Sequence, residues 1–505
     1  MHTHRTLITL SLLGAFALGS TAQTDNISRR SHDKQQQQPK KQQQPKQQPP
    51  QKKTQDQPKP KLEQEEEEET IPLAVPMAQK PAEIVVPTPV AQPVEPKVPT
   101  ATETGFQYQF ITDDTCILTE CPADIEGVVD IYGIITIGGK KCTVTTIGKD
   151  VFKYRSNITA VNIHEGVTTI GKSAFAHCRS LTSITLPESL TTISEGAFNG
   201  CRSLTSINIP EGLTTISDEA FACCLALTSI TLPESLTTIE SDAFNGCSAL
   251  ASINIPDGLT TIGDGAFHWC EALTAINIPE GVTTIGNEAF YGCSALTRIT
   301  LPDGLTTIGR AAFHDCKSLT SITLPDGLTT IGRSAFFDCD ALTTVTIPQS
   351  VTTISEYAFC SCSALTSITL PDGLTTIGDH AFCLCKSLTS ITLPDGLTTI
   401  GDVAFCLCEG LTSVTIPQSV TTIGKGAFSN CWNLKEVYLN EGLTTIGEAA
   451  FKGCKKLYNI TIPASVTTAG LGIFYGCDML HGVVAVPAHL KGSARKWFKK
   501  PSNLY

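Results

Sequence analysis

Phenylalanine falls on a strict period in this chain. It stands at Phe152 and at every twenty-third residue from there to Phe474, with no insertion anywhere in the series. A fixed period in the range of about 20–50 residues marks units that stack on one another. This feature outranks composition, because a chain of near-identical short units cannot build one globular core.

The unit 181–203, LTSITLPESLTTISEGAFNGCRS, serves as a template. Leu181, Ile184 and Leu186 follow an L-x-x-I-x-L spacing. Alternate side chains of a strand face opposite ways, so Ile184 and Leu186 point inward and Ser183 and Thr185 outward. Leu181 reaches the core only where the chain bends before the strand. Pro187 ends the ladder, since it has no N–H to donate. Glu188 and Ser189 form a turn, and other units carry Asp-Gly there. Leu190 and Ile193 make a second apolar pair. Ala197, Phe198 and Cys201 have the i, i+1, i+4 spacing of one short helical turn. Each unit has one apolar edge and no partner of its own, so stacking must supply it. Strands of successive units would pair in parallel, and fifteen units at ~4.8 Å give a stack of roughly 70 Å.

The string LTSITLPDGLTTIGDHAFCLCKS at 365–387 resembles the BspA-type leucine-rich repeat, a 23-residue variant of bacterial surface proteins and some protist ones. The pattern Leu-x-x-Ile-x-Leu-Pro, Leu-x-x-Ile-Gly, Ala-Phe-x-x-Cys covers about residues 104 to 490. The expected fold is therefore a repeat solenoid. It is leucine-rich-repeat-like and β-rich, with short parallel strands and short helical turns, and it is capped at both ends. The resemblance implies adhesion to host matrix or to other cells. Departures are few. Arg155 replaces Cys in the first unit, His164 and Asn440 stand where Pro is expected, and VTTAGLGIF disturbs the last unit.

The ends differ from the repeats. Residues 1–22 have a basic start, an apolar run from Leu7 to Leu18 and small residues before position 23, the pattern of a secretory signal peptide. Residues 23–103 are rich in Gln, Pro, Lys and Glu and cannot bury a core, so a disordered linker is expected. It reads as a passive spacer or as a segment that grips a cell envelope through its lysines. Residues 104–150 carry short β-type runs and form the N-terminal cap, 151–482 the solenoid and 483–505 the C-terminal cap. In the last segment a strand at 483–486 and a basic helix over 488–499 are expected, with Trp497 and Phe498 on the end face. Binding of an anionic surface by Lys491, Arg495, Lys499 and Lys500 is the alternative use. No transmembrane segment is expected in the mature chain. It is placed outside the cell, secreted or at the surface. An uncut leader and a linker crossing a periplasm form the alternative.

The chain has 21 cysteines. Fourteen stand three residues after the repeat Phe, from Cys178 to Cys477, and read as buried free thiols. Cys223, Cys360, Cys383 and Cys406 break that pattern. The last three fall in consecutive units and leave packed thiols, disulfides or a soft metal as readings. Among Cys116, Cys121 and Cys142 one bridged pair remains open.

No nucleophile elbow, P-loop, dinucleotide turn or H-E-x-x-H is present, so the chain reads as a non-enzyme without cofactor or metal. The Asp residues of the PDG turns, such as Asp257 and Asp303, are turn formers. A net charge of −12 and repeats without a basic stripe argue against nucleic acid. Two surface rows are candidate binding faces. The outward strand row is nearly uniform Ser, Thr and Asn, with Arg298, Glu436 and Tyr438 as outliers. The row one residue after each Phe holds His268, Tyr291, His314 and Phe337, with Trp269 adjacent. Protein hot spots favour Trp, Tyr and Arg. The expected partner is an extracellular protein or glycan, with envelope association as a further possibility. A structural envelope or biofilm spacer is the rival reading, and ice or crystal binding by the Ser/Thr row a third.

Overall fold

Each 23-residue unit closes one coil, and three ladders tie it to its neighbours. The structure, a computed structural model, describes residues 97–480 and 484–500, which lie within the unit Pro96–Leu504. The leader at 1–22 and most of the linker lie outside the described residues. The first ladder is built from three-residue strands such as Ser206–Asn208 and Ser229–Thr231, paired in parallel with Ser206 opposite Ser229 and Ile207 opposite Ile230. Their central residue is buried and both flanking ones are exposed. The second ladder is the LTTI segment, where Thr215–Ile216 pairs with Thr238–Ile239 in the same 23-residue register. Leu181 is fully buried because the chain turns before the strand, its N–H donating to the Cys178 carbonyl at 3.1 Å.

The third ladder replaces the short helical turn with a run of tighter turns. Within one unit the Cys178 N–H donates to the Phe175 carbonyl at 3.1 Å. Between units, the Phe175 N–H donates to the Ala197 carbonyl at 2.8 Å and the His177 N–H to the Asn199 carbonyl at 2.7 Å. Two residues per unit, two before and two after the Phe, have left-handed backbone, for example Ser173 (φ 54°) and His177 (φ 61°). This alternation turns every second N–H along the stack, where the next unit accepts it.

The repeat Phe rings form a continuous column. Every neighbouring pair from Phe152 to Phe474 stacks nearly parallel, with centroids between 4.9 and 6.0 Å apart. Such offset stacking suits the ring quadrupole. Beside the rings run the fourteen cysteines, all buried free thiols. Each thiol donates to the carbonyl of the Phe one unit back, as Cys201 does to Phe175 at 3.2 Å and Cys316 to Phe290 at 3.2 Å. Burial pushes the thiols of this row from Cys178 to Cys454 up, Cys293 to about 12. The Thr hydroxyls repeat the device on the outside, Thr182 donating to the Thr159 carbonyl at 2.9 Å and Thr191 to the Thr168 carbonyl at 3.2 Å.

At the N-terminal end the order is α1 (Ala101–Thr104), β1 (Gln107–Phe110), β2 (Thr115–Glu120), β3 (Gly127–Ile131), β4 (Ile134–Ile137) and β5 (Lys140–Ile147). β5 pairs with Thr169–Ile170 and begins the second ladder, and β3 pairs with Ile158–Ile163 and begins the first. Residues 97–103, assigned above to the linker, are ordered here. Thr100 and Glu103 form a reciprocal capping box on α1, and Gly105 closes it in the left-handed region. Cys116, Cys121 and Cys142 are free thiols, and Cys121 receives Arg155 Nε at 3.3 Å where the repeat Cys is missing.

At the other end the expected basic helix is two 3-10 turns, Ala488–Leu490 and Ala494–Lys496. Gly492 and Ser493 interrupt a longer helix, and the break lets both Leu490 and Trp497 point into the core. The carbonyls of Lys496 and Trp497 accept the Gly472 and Phe474 N–H groups at 3.0 and 2.9 Å, taking the place of a further unit. Both ends of the ring column are closed edge-on, by Phe106 on Phe152 at 5.9 Å and by Trp497 on Phe474 at 6.3 Å. Among the described residues no helix is long and apolar enough to cross a membrane.

The buried Trp497 indole N–H has no hydrogen-bond partner among the described residues. Its contribution is therefore packing. Trp497→Ala should lower protection in the last two units by about 3–5 kcal/mol. Trp497→Phe should cost only about 1 kcal/mol. Hydrogen exchange over 451–480 reads both, and an equal loss in the two variants would show that the indole N–H matters.

Candidate recognition surface

The third ladder determines which side chains meet outside the Phe column. The residue after each Phe closes a turn, as in Tyr291 N–H to the Glu288 carbonyl and His314 N–H to the Ala311 carbonyl, both 3.1 Å. Equivalent side chains on consecutive units are thereby set side by side. His268 and Tyr291 lie edge to face at 4.8 Å, while Tyr291 and His314 meet tilted at 4.4 Å and His314 and Phe337 tilted at 4.6 Å. Trp269, 41% exposed, joins them at 5.3 Å from Tyr291 and 5.8 Å from His268. The other four are half-buried.

The strip extends beyond the residues the sequence marked. Phe337 meets Tyr357 at 6.2 Å and Tyr357 stacks on His380 at 4.4 Å. These two come from the left-handed position before the Phe (φ 58° and 56°), so the strip changes column between units. Reading that second column alongside the first reveals them in the sequence. The Arg333 guanidinium sits 5.5 Å over the Tyr357 ring and reaches Glu356 at 3.1 Å.

Gly292 explains the pose of Trp269. Its φ is 73°, and a Cβ there would lie 2.5 Å from the indole Cε3. The indole lies across the bare backbone of the next unit. Gly292→Ala should displace it and shift its emission to longer wavelength, measured with Trp432 and Trp497 replaced by Phe. Unchanged emission would mean that the ring does not rest there.

Beneath the strip lies a small ionisable cluster. Donor atoms of His314, Asp315 and Asp338 fall within 4.8 Å of one another, the spacing of a cation site. Both carboxylates already have partners, Lys317 at 3.3 Å from Asp315 and the Ser361 hydroxyl on Asp338. Burial raises Asp338 to about 6, and burial raises Tyr291 to about 12. Burial also lowers His314 to about 4, against the pull of Asp315. Between its ordinary value of 6.5 and about 4, the unfolded chain protonates this imidazole and the folded chain does not. The His314 contribution to stability therefore falls as pH drops through that window. In an NMR titration the His314 ring should stay neutral at pH 5.5, and a midpoint near 6.5 would contradict the burial.

The remaining candidates sit elsewhere. Arg298 is exposed on the sheet face, in a strand paired with Ala275–Asn277. Glu436 and Tyr438 lie on that face in a later unit, where Tyr438 donates to Glu436 at 2.9 Å and Tyr458 donates to the same carboxylate. These two hydroxyls, Tyr458 first, hold Glu436 below its usual value. A polar depression of about 590 Å³ lies nearby, lined by Thr392, Asp395, Thr415, Gln418 and Asn440 among others. The structure thus joins His268, Trp269, Tyr291, His314 and Phe337 in one strip and leaves Arg298, Glu436 and Tyr438 apart from it.

The model of the BspA type leucine-rich repeat region matches residues 145–273, 237–366 and 352–481. A leucine-rich repeat protein from Bacteroides ovatus is 30% identical in sequence, with a TM-score of 0.64, covering 71% of this chain and 94% of its own. A leucine-rich cell surface protein from Faecalibacterium prausnitzii is 27% identical, with a TM-score of 0.39, covering 72% of this chain and 92% of its own. No curated protein matches the chain.

Proposed function

Because this chain belongs to the BspA-type leucine-rich repeat family, we propose that it is a non-enzymatic binding protein displayed outside the cell, adhesin-like in role. Its partner is an extracellular protein or glycan, held along the strip from Trp269 to His380. The observation that carries this reading is the unbroken ring contact across consecutive units. Five unit steps at ~4.8 Å make the strip about 25 Å long. Aromatic rings fixed by their neighbours offer apolar contact area at little conformational cost, and Tyr and Trp dominate binding hot spots. The neutral His314 adds a ring without a charge to desolvate. By contrast, the sheet face is small and hydroxyl-rich over most units. That uniform face supports a second reading, a structural spacer in an envelope or biofilm.

The test is binding of the full chain to a panel of matrix proteins and glycans. A companion variant has Trp269, Tyr291, His314 and Phe337 changed to Ala, its fold checked by circular dichroism. Saturable binding weakened by about tenfold or more in the variant is expected. Binding that the variant leaves intact would remove the strip as the site. Absence of saturable binding across the panel would favour the spacer.

A further inference from the structure

The column that carries the aromatic strip changes chemistry after Phe337. It continues as Cys360, Cys383, Cys406, Ser429 and Lys452. The three thiols and Val403 form a small apolar cluster of their own, separate from the main core and flanked by Phe337, Tyr357, Leu384 and Leu407. Their exposures are 3%, 1% and 6% for Cys360, Cys383 and Cys406. They differ from the fourteen repeat cysteines in their partners. A repeat thiol donates to a backbone carbonyl, as Cys385 does to Phe359 at 3.2 Å. The Cys383 thiol instead contacts Cys360 and Cys406, and Cys406 contacts Cys383 and the Ser429 hydroxyl.

The spacing permits a bridge. The rings of the adjoining Phe residues stack with centroids 5.7 Å apart from 359 to 382 and 5.3 Å apart from 382 to 405, and the backbones of paired units lie about 4.8 Å apart. A disulfide spans Cα separations of about 4.4–6.8 Å. The column is also polar at one end. The Ser429 hydroxyl is buried against Cys406, and the Lys452 ammonium lies one unit further on. The Cys383 contact, Lys452 and Ser429 lower the Cys406 thiol, whereas contacts with Cys360 and Cys406, then burial, raise Cys383. Cys406 is also the most exposed of the three, so an external disulfide meets it first.

We propose that Cys406 and Cys383 form a thiol–disulfide exchange site whose substrate is a low-molecular-weight disulfide. The Cys406 thiolate attacks one sulfur of the substrate R–S–S–R. The S–S bond breaks, a mixed disulfide forms on Cys406, and the released thiolate takes a proton from water. Cys383 then gives up its proton and attacks the Cys406 sulfur. The second thiolate leaves with that proton. The protein dithiol is oxidised by two electrons and the external disulfide is reduced to two thiols. Cys360 stays a thiol in contact with the new bridge.

The test uses the full chain, fully reduced, with the exposed Cys223 changed to Ser so that a surface thiol does not intervene. Glutathione disulfide is added to the native protein, and the products are quenched, alkylated after unfolding and mapped by mass spectrometry. Two thiols should disappear, with a bridge between Cys383 and Cys406. In Cys383→Ser the reaction should stop at a single glutathione on Cys406. Cys406→Ser should slow thiol loss in this column by about tenfold or more, and Cys360→Ser should leave the bridge in place. Ser429 already occupies this column, so serine fits it, and circular dichroism verifies each fold. The proposal fails if the native protein keeps all its thiols, if the bridge excludes Cys406, or if glutathione in Cys383→Ser rests on another cysteine.

Discussion

Every second N–H group of the turn segment points out of its own unit, and everything else in the stack follows from where these groups go. The Phe N–H of each coil reaches a carbonyl of the next, from Phe152 onto Ala174 at 2.8 Å to Phe451 onto Ile473 at 3.0 Å. To present them, two residues per coil adopt left-handed backbone that L side chains resist at a cost of about 1–3 kcal/mol each. Even the β-branched Val403 takes it, at φ 60°, held by its N–H on the Lys425 carbonyl at 2.7 Å. The bonds between units override local preference. They disfavour insertion, because an extra residue in the turn segment would carry acceptors away from the N–H groups of the unit before it, and this is the physical content of the 23-residue period.

A stack in strict register places each residue against its counterpart 23 positions away. Surface chemistry is then decided by columns, not by patches assembled from distant segments. Thr above Thr gives a hydroxyl row that caps carbonyls. Ring above ring gives the aromatic strip. Thiol above thiol gives either inert packing or reactive contact, depending on the column. One column holds rings at His268 through Phe337 and thiols from Cys360 to Cys406, so two kinds of surface grow from one structural position.

Much of this was legible in the sequence. The inward Ile184, the outward Ser183 and Thr185, the buried repeat cysteines and the 23-residue pairing all follow from period and alternation. The left-handed positions were not legible, because side chains such as Trp269, Tyr357 and His380 do not advertise that conformation. It comes from bonds to the neighbouring coil. Hence the strip read from one column ended at Phe337, although the rings continue through Tyr357 to His380. The ends failed for a different reason. Thr100 and Glu103 order a short helix in a Pro-rich context, and Gly492 splits the C-terminal basic segment into two turns.

The cysteines show how little the residue type decides. Three residues after Phe, the thiol lies against a carbonyl that already accepts one N–H, and its S–H fills the second lone pair, as at Phe175 with the Cys178 N–H and the Cys201 thiol. Proton and sulfur are both held, and burial raises Cys201 far above its ordinary value. One residue after Phe, no carbonyl takes that part, and the nearest polar atoms are other sulfurs, a hydroxyl and, further along, an ammonium. There the same side chain at the same depth has a partner able to share its proton. The difference arises from a shift of two residues along a turn, and only the geometry between coils makes that shift chemically meaningful.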